Sequence, residues 1–111
     1  MFGKPKESDW KTFRKIVPEL RERYLRQRNA ELIANLQDES LTPTDRFWNV
    51  EERVRKEAKI LRDCLDGHSR SQMVMFMIAM RRYGMLSDED LKQFSAELQT
   101  QIESFFDNNR G

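Results

Sequence analysis

Residues 73–80 read MVMFMIAM, eight apolar residues without interruption in a chain of 111 of which 35% are charged. An amphipathic helix needs only one apolar stripe, so a helix that is apolar all the way round has to be enclosed by others. The run is too short for a membrane span, which takes about 20 residues, and Arg81 and Arg82 end it. It therefore predicts an interior helix over residues 72–83, with the other helices of a soluble domain wrapped around it. Four of the eight residues are methionines, whose flexible thioether fits irregular cores and equally the surface of a second molecule. So short a helix has few neighbours in a small bundle, and a spare side is expected to press against a second copy in a twofold dimer.

The rest of the chain alternates stripes with breaks. Gly3 and Pro5 give residues 1–7 the look of a loose leader, which leaves a single helical domain over 8–108. Ser8 is a candidate cap for a helix carrying Trp10, Phe13, Ile16 and Val17. Pro18 then removes an N–H and clashes with the preceding turn, so this first helix is expected to kink or break there. From Pro18, Leu20, Tyr24, Leu25, Leu32, Ile33 and Leu36 follow a helical stripe to about Gln37. DESLTPTD is a loop, and Thr42, Pro43 and Asp45 together signal a helix start. Phe47, Val50, Val54, Ala58, Leu61 and Leu65 recur at steps of three, four, four, three and four. Gly67 stands where a helix C-terminus favours a left-handed residue. Ser69 or Ser71 opens the apolar helix and Gly84 closes it. Ser87 to Asp90 resembles a capping box ahead of a last stripe of Leu91, Phe94, Leu98, Ile102 and Phe105. The fold class is all-α: a compact bundle of four principal helices around a central, Met-rich one.

Chemistry-bearing residues are sparse. Cys64 is the single cysteine, so no disulfide closes within the chain, which suits a reducing, cytoplasmic setting. His68 is the single histidine, which excludes a multi-histidine metal site in one chain. Cys64 and His68 are four apart, yet Gly67 ends the helix between them, so an inert thiol and a histidine past a helix end are expected rather than a nucleophile pair. Glu51-Glu52 and Asp38-Glu39 are adjacent and splay apart on a helix. No Gly-rich phosphate loop, GxSxG, HExxH or EF-hand pattern occurs. No catalytic residue, cofactor or metal ligand is assigned.

The near-neutral net charge of +1 hides an asymmetry. Residues 4–28 hold nine Lys or Arg against four acids, and residues 87–107 hold six acids against Lys92 alone. Pairing of the basic first helix with the acidic last one accounts for this, within one chain or between two. These features favour a non-catalytic interaction or regulatory protein, an adaptor, inhibitor or assembly factor, with Trp10, Phe13, Trp48, Met73, Met77 and Met80 as candidate contact residues. The alternative is a nucleic-acid-associated regulator using Arg14, Arg21, Arg23, Arg26 and Arg28. Against it, the helix after Gly84 begins with Asp88-Glu89-Asp90, which repels phosphate.

Overall fold

The structure, a computed structural model, describes residues 4–108, and every described element is helical. Helix α1 spans Glu7–Leu36 without a break. The expected division at Pro18 is absent for a local reason. Pro18 and Arg14, the residue whose carbonyl it strands, both lie on the solvent side, so the missing bond leaves no polar group stranded in the core. Helix α1 starts one residue before Ser8, with Lys6 as N-cap and no side-chain cap, and the Ser8 carbonyl instead accepts from Thr12 Oγ1 at 3.0 Å. Of the expected leader, residues 1–3 lie outside the described residues. Further on, the Pro5 carbonyl accepts two N–H groups of Arg70, at 3.0 and 2.7 Å.

Helix α2, Pro43–Leu65, begins as its sequence dictates: Thr42 Oγ1 accepts from the Asp45 N–H at 3.1 Å, with proline in the first turn. It runs back along α1, since Arg46 donates to the Leu36 carbonyl, Arg53 meets Glu31, and Tyr24 meets Glu57. Gly67 adopts φ +75° and turns the chain into a single 3-10 turn, Arg70–Gln72, that leads into α3, Met73–Arg82. Gly84, at φ +76°, closes α3, and the Met80 carbonyl takes the N–H groups of Met85 and Leu86.

The last apolar stripe forms two helices rather than one: α4, Asp88–Leu91, and α5, Ala96–Asn108. Ser95 separates them. Its N–H and hydroxyl both donate to buried Asp9, at 2.9 and 2.7 Å, and its oxygens then receive the first N–H groups of α5, from Leu98 and Gln99. A serine that bonds to a distant carboxylate thus outcompetes continuation of the helix.

The core gathers Phe13, Ile16, Val17, Leu20 and Tyr24 of α1, Cys64 of α2, and five side chains of α3. Met85, Leu86, Leu91, Phe94, Leu98 and Ile102 complete it. Between Tyr24 and Cys64 no residue is buried. The distal parts of α1 and α2 therefore project from the core as a two-helix arm. The molecule measures 51 × 33 × 23 Å with a radius of gyration of 16.8 Å, against roughly 13 Å for a globular chain of about 100 residues.

Candidate protein-interaction surface

Two rows of side chains run along α2, one facing α1 and the other lying to the side of it. The row that faces α1 is polar. Tyr24 donates to Glu57 Oε2 at 2.5 Å, Arg28 holds Glu31 at 2.5 Å and lies 3.9 Å from Glu57, and Arg53 reaches Glu31 at 3.4 Å. Arg28 also lies 4.7 Å over the Tyr24 ring. Burial and the Glu57 carboxylate push the Tyr24 phenol up to about 12, so it stays a proton donor at any ordinary pH. Two buried polar atoms of this seam, Arg28 Nε and Asn35 Oδ1, have no hydrogen-bond partner among the described residues.

The second row is the apolar stripe, and it lies to one side of the seam. Leu61 and Leu65 line a shallow groove with Leu25, Arg21, Arg62 and Asp66, which puts the apolar residues of both helices on the same flank. Helical spacing extends that flank along the arm through Leu32 and Leu36 of α1 and Ala58, Val54, Val50 and Phe47 of α2. Helices α3 to α5 close the opposite flank, so this one stays open along the arm, while at its base Leu61 and Leu65 pack against the core. Phe47 is 59% exposed, Leu36 48% and Val54 47%. Ile33 and Trp48, also exposed, flank the end of the arm, where the Trp48 ring meets Phe47 edge-on at 5.0 Å.

The contact residues expected from sequence divide sharply. Trp48 is exposed, and Trp10 is half-buried, stacked on Phe13 at 5.7 Å with Arg14 over its ring at 5.9 Å. Phe13, Met73, Met77 and Met80 are fully enclosed and offer nothing to a partner: Met73, Val74, Met77, Ile78 and Met80 of α3 all turn inward, and only Met75 among its methionines looks out. The exposed apolar residues that matter, Phe47, Val54 and Leu36, carried only the signal of a core stripe. What marked them was the thinning of α1 beyond Tyr24, where Leu25, Leu32, Ile33 and Leu36 alternate with polar residues and are too few to cover the stripe of α2.

The five arginines do not form one free face. Arg23 is held by Asp90 and by the Met85 carbonyl at 3.1 Å, and Arg28 belongs to the seam. Arg21 and Arg26 are exposed without a carboxylate partner among the described residues. The basic and acidic segments do meet within one chain, through Lys6 and Glu97 at 3.0 Å and through Arg23 and Asp90.

The lone thiol and imidazole also separate by role. His68 Nε2 meets the Cys64 carbonyl oxygen at 2.7 Å, while its ring sits edge-on to Phe13 and Phe76, at 4.9 and 4.5 Å. Burial pushes the Cys64 thiol up to about 11, away from the thiolate that a nucleophile requires. Among the described residues no three His, Cys, Asp or Glu side chains gather to hold a metal ion, and no helix is long and apolar enough to cross a membrane. The chain matches no family model, and no curated protein or solved structure is found to resemble it.

Proposed function

We propose that this is a non-catalytic interaction protein, an adaptor, inhibitor or assembly factor of the cytoplasm, that works by burying the uncovered flank of its helical arm against another protein chain. One observation carries the reading. A row of apolar side chains about five helical turns long runs along one flank of the arm. Phe47, Val54 and Leu36 in it are about half-exposed and Leu25, Leu32, Val50, Ala58, Leu61 and Leu65 between them partly exposed, whereas the base encloses Phe13, Met73, Met77 and Met80 completely. Scattered apolar residues are ordinary on a protein surface, but a contiguous row on one flank is the mark of a contact surface. The seam beside it is tied by ion pairs, which hold the two helices in register and present the flank as one rigid strip. Phe47 and Trp48 at its end are the aromatic anchors that protein interfaces favour.

The test is a photo-reactive amino acid placed at Val54 in the full chain, illuminated in cells. Lys59, exposed on α2 away from the flank, serves as the control position. The reading expects discrete protein adducts, to this chain or another, from position 54 and not from position 59. Equal labelling from both positions, or none from 54, removes it.

A further inference from the structure

The flank is built to receive a second copy of itself, and we infer that two molecules pack arm against arm, antiparallel, with the α2 helices crossing at a twofold axis near Val54 and Ala58. This inference rests on the interaction reading above and names the partner.

Its first support is steric. A twofold contact is isologous: where residue i touches j, j touches i. The stripe of α2 satisfies that requirement when read backwards. Reversed about the midpoint of Val54 and Ala58, Phe47 falls opposite Leu65 and Val50 opposite the Leu61–Arg62 turn. Small members, Val54 and Ala58, stand at the centre, where the helices approach most closely, and the bulky Phe47 and Leu65 at the ends.

Its second support is charge. Glu51 and Arg62 lie on the same outer edge of the stripe, eleven residues or about three turns apart. The same reversal brings Glu51 of each copy, which Arg55 of its own helix holds at 2.9 Å, within one residue of the level of Arg62 of the other. Arg62 has no carboxylate partner among the described residues. The arms are also polar end to end. The loop at the tip carries Asp38, Glu39 and Asp45, while Arg46 is occupied by the Leu36 and Leu41 carbonyls. Asp38 accepts from the hydroxyl and N–H of Ser40, at 2.6 and 3.0 Å, which lowers its pKa and keeps it charged. The cross-hairpin pairs put the stripe's midpoint level with Gln27 and Arg28 of α1. The tip acids Asp38 and Glu39 lie about eleven residues beyond that level, and eleven residues back lead to buried Ile16 and Val17, with exposed Arg14 and Lys15 one to three residues further. Along α1, antiparallel stacking sets the acidic tip near Arg14 and Lys15 of the other arm, and along α2 it brings Asp45 near Asp66, whereas parallel stacking would set Asp38, Glu39 and Asp45 on their own copies.

The third support is size. Helix α2 has 23 residues and is roughly 35 Å long, and two helices side by side present a strip about 20 Å wide. Covering it removes roughly 700 Å² per copy, close to the ~800 Å² per partner of a standard interface.

The experiment uses the full chain. Sedimentation equilibrium across a wide range of concentrations expects a monomer–dimer equilibrium, and Val54→Asp, at an exposed site that leaves the core untouched, expects a monomer throughout. Register is read by cross-linking. Under mild oxidation an equimolar mixture of Glu51→Cys and Arg62→Cys chains expects a mixed disulfide dimer, and either variant alone expects far less. A wild type that stays monomeric overturns self-association while leaving the flank's adducts from position 54 to decide the interaction reading separately. A dimer that survives Val54→Asp, or that yields 51–51 or 62–62 cross-links in preference to 51–62, overturns the antiparallel arrangement.

Discussion

Base and arm are made of the same two long helices, yet the same residue types behave differently in them. In the base, α1 and α2 are roofed by α3 to α5, and Met73, Met77, Met80 and Phe13 lose essentially all contact with water. In the arm the roof is missing, and Phe47 and Trp48 each keep 59% of their surface. The seam differs as well: apolar contacts hold α1 in the base, whereas Arg28, Glu31, Arg53, Tyr24 and Glu57 hold it in the arm. The lesson is that one amphipathic helix has two fates along its length, core where neighbours cover it and exposed apolar flank where they stop.

The largest expected effect lies deep in the base. Met77→Ala should cost about 2–5 kcal/mol in urea unfolding, because the surrounding core cannot collapse onto the gap. A cost below about 1 kcal/mol would mean that the base is far looser than its enclosure implies.

Next comes the tie between α1 and α4. Asp90 accepts from the N–H and hydroxyl of Ser87, both at 2.8 Å, and from Arg23. Asp90→Asn should cost about 1–3 kcal/mol. Burial alone would raise the Asp90 carboxyl, but Arg23 and Ser87 outweigh it and hold the group below its ordinary 3.8. Because the folded value is the lower one, this contribution is complete above the unfolded value and is lost as pH falls through the folded value. Melting temperatures between pH 2 and 5 should therefore fall less steeply in Asp90→Asn than in the wild type. Parallel curves would place the acid sensitivity elsewhere.

A smaller effect is expected at the joint that closes α3. Nothing lies within 4 Å of a β-carbon added at Gly84, so Gly84→Ala meets no clash and should cost only the left-handed penalty at φ +76°, about 1–2 kcal/mol. The smallest belongs to the arm. Trp48→Ala in dilute solution should change unfolding stability by no more than about 0.5 kcal/mol. A loss comparable to that of Met77→Ala would erase the distinction between the two regions.

The helix boundaries that depend on local chemistry were legible in the sequence. Thr42 with Pro43 starts α2, Gly67 and Gly84 take positive φ, and Ser87 with Asp90 completes a capping box. What was not legible depends on partners distant along the chain. The division of the last stripe at Ser95 is decided by Asp9, 86 residues earlier. The continuity of α1 through Pro18 is decided by which side of the helix faces water. The exposed apolar flank was half legible. Trp48 could be singled out, but a stripe that ends in a core and a stripe that waits for a partner share one periodicity, and only the position of α3 separates Phe47 from Met77.

Cys64 carries a practical consequence of its enclosure. The chain's one thiol has no exposed surface, and its proton is held up to about 11. An alkylating reagent therefore reaches it only when the base opens, so the rate of labelling reports that opening without any engineered probe. Fraying of the arm alone would leave the sulfur silent. The protein thus carries its own clock for the stability of one half of its structure, a clock that movements of the other half do not set running.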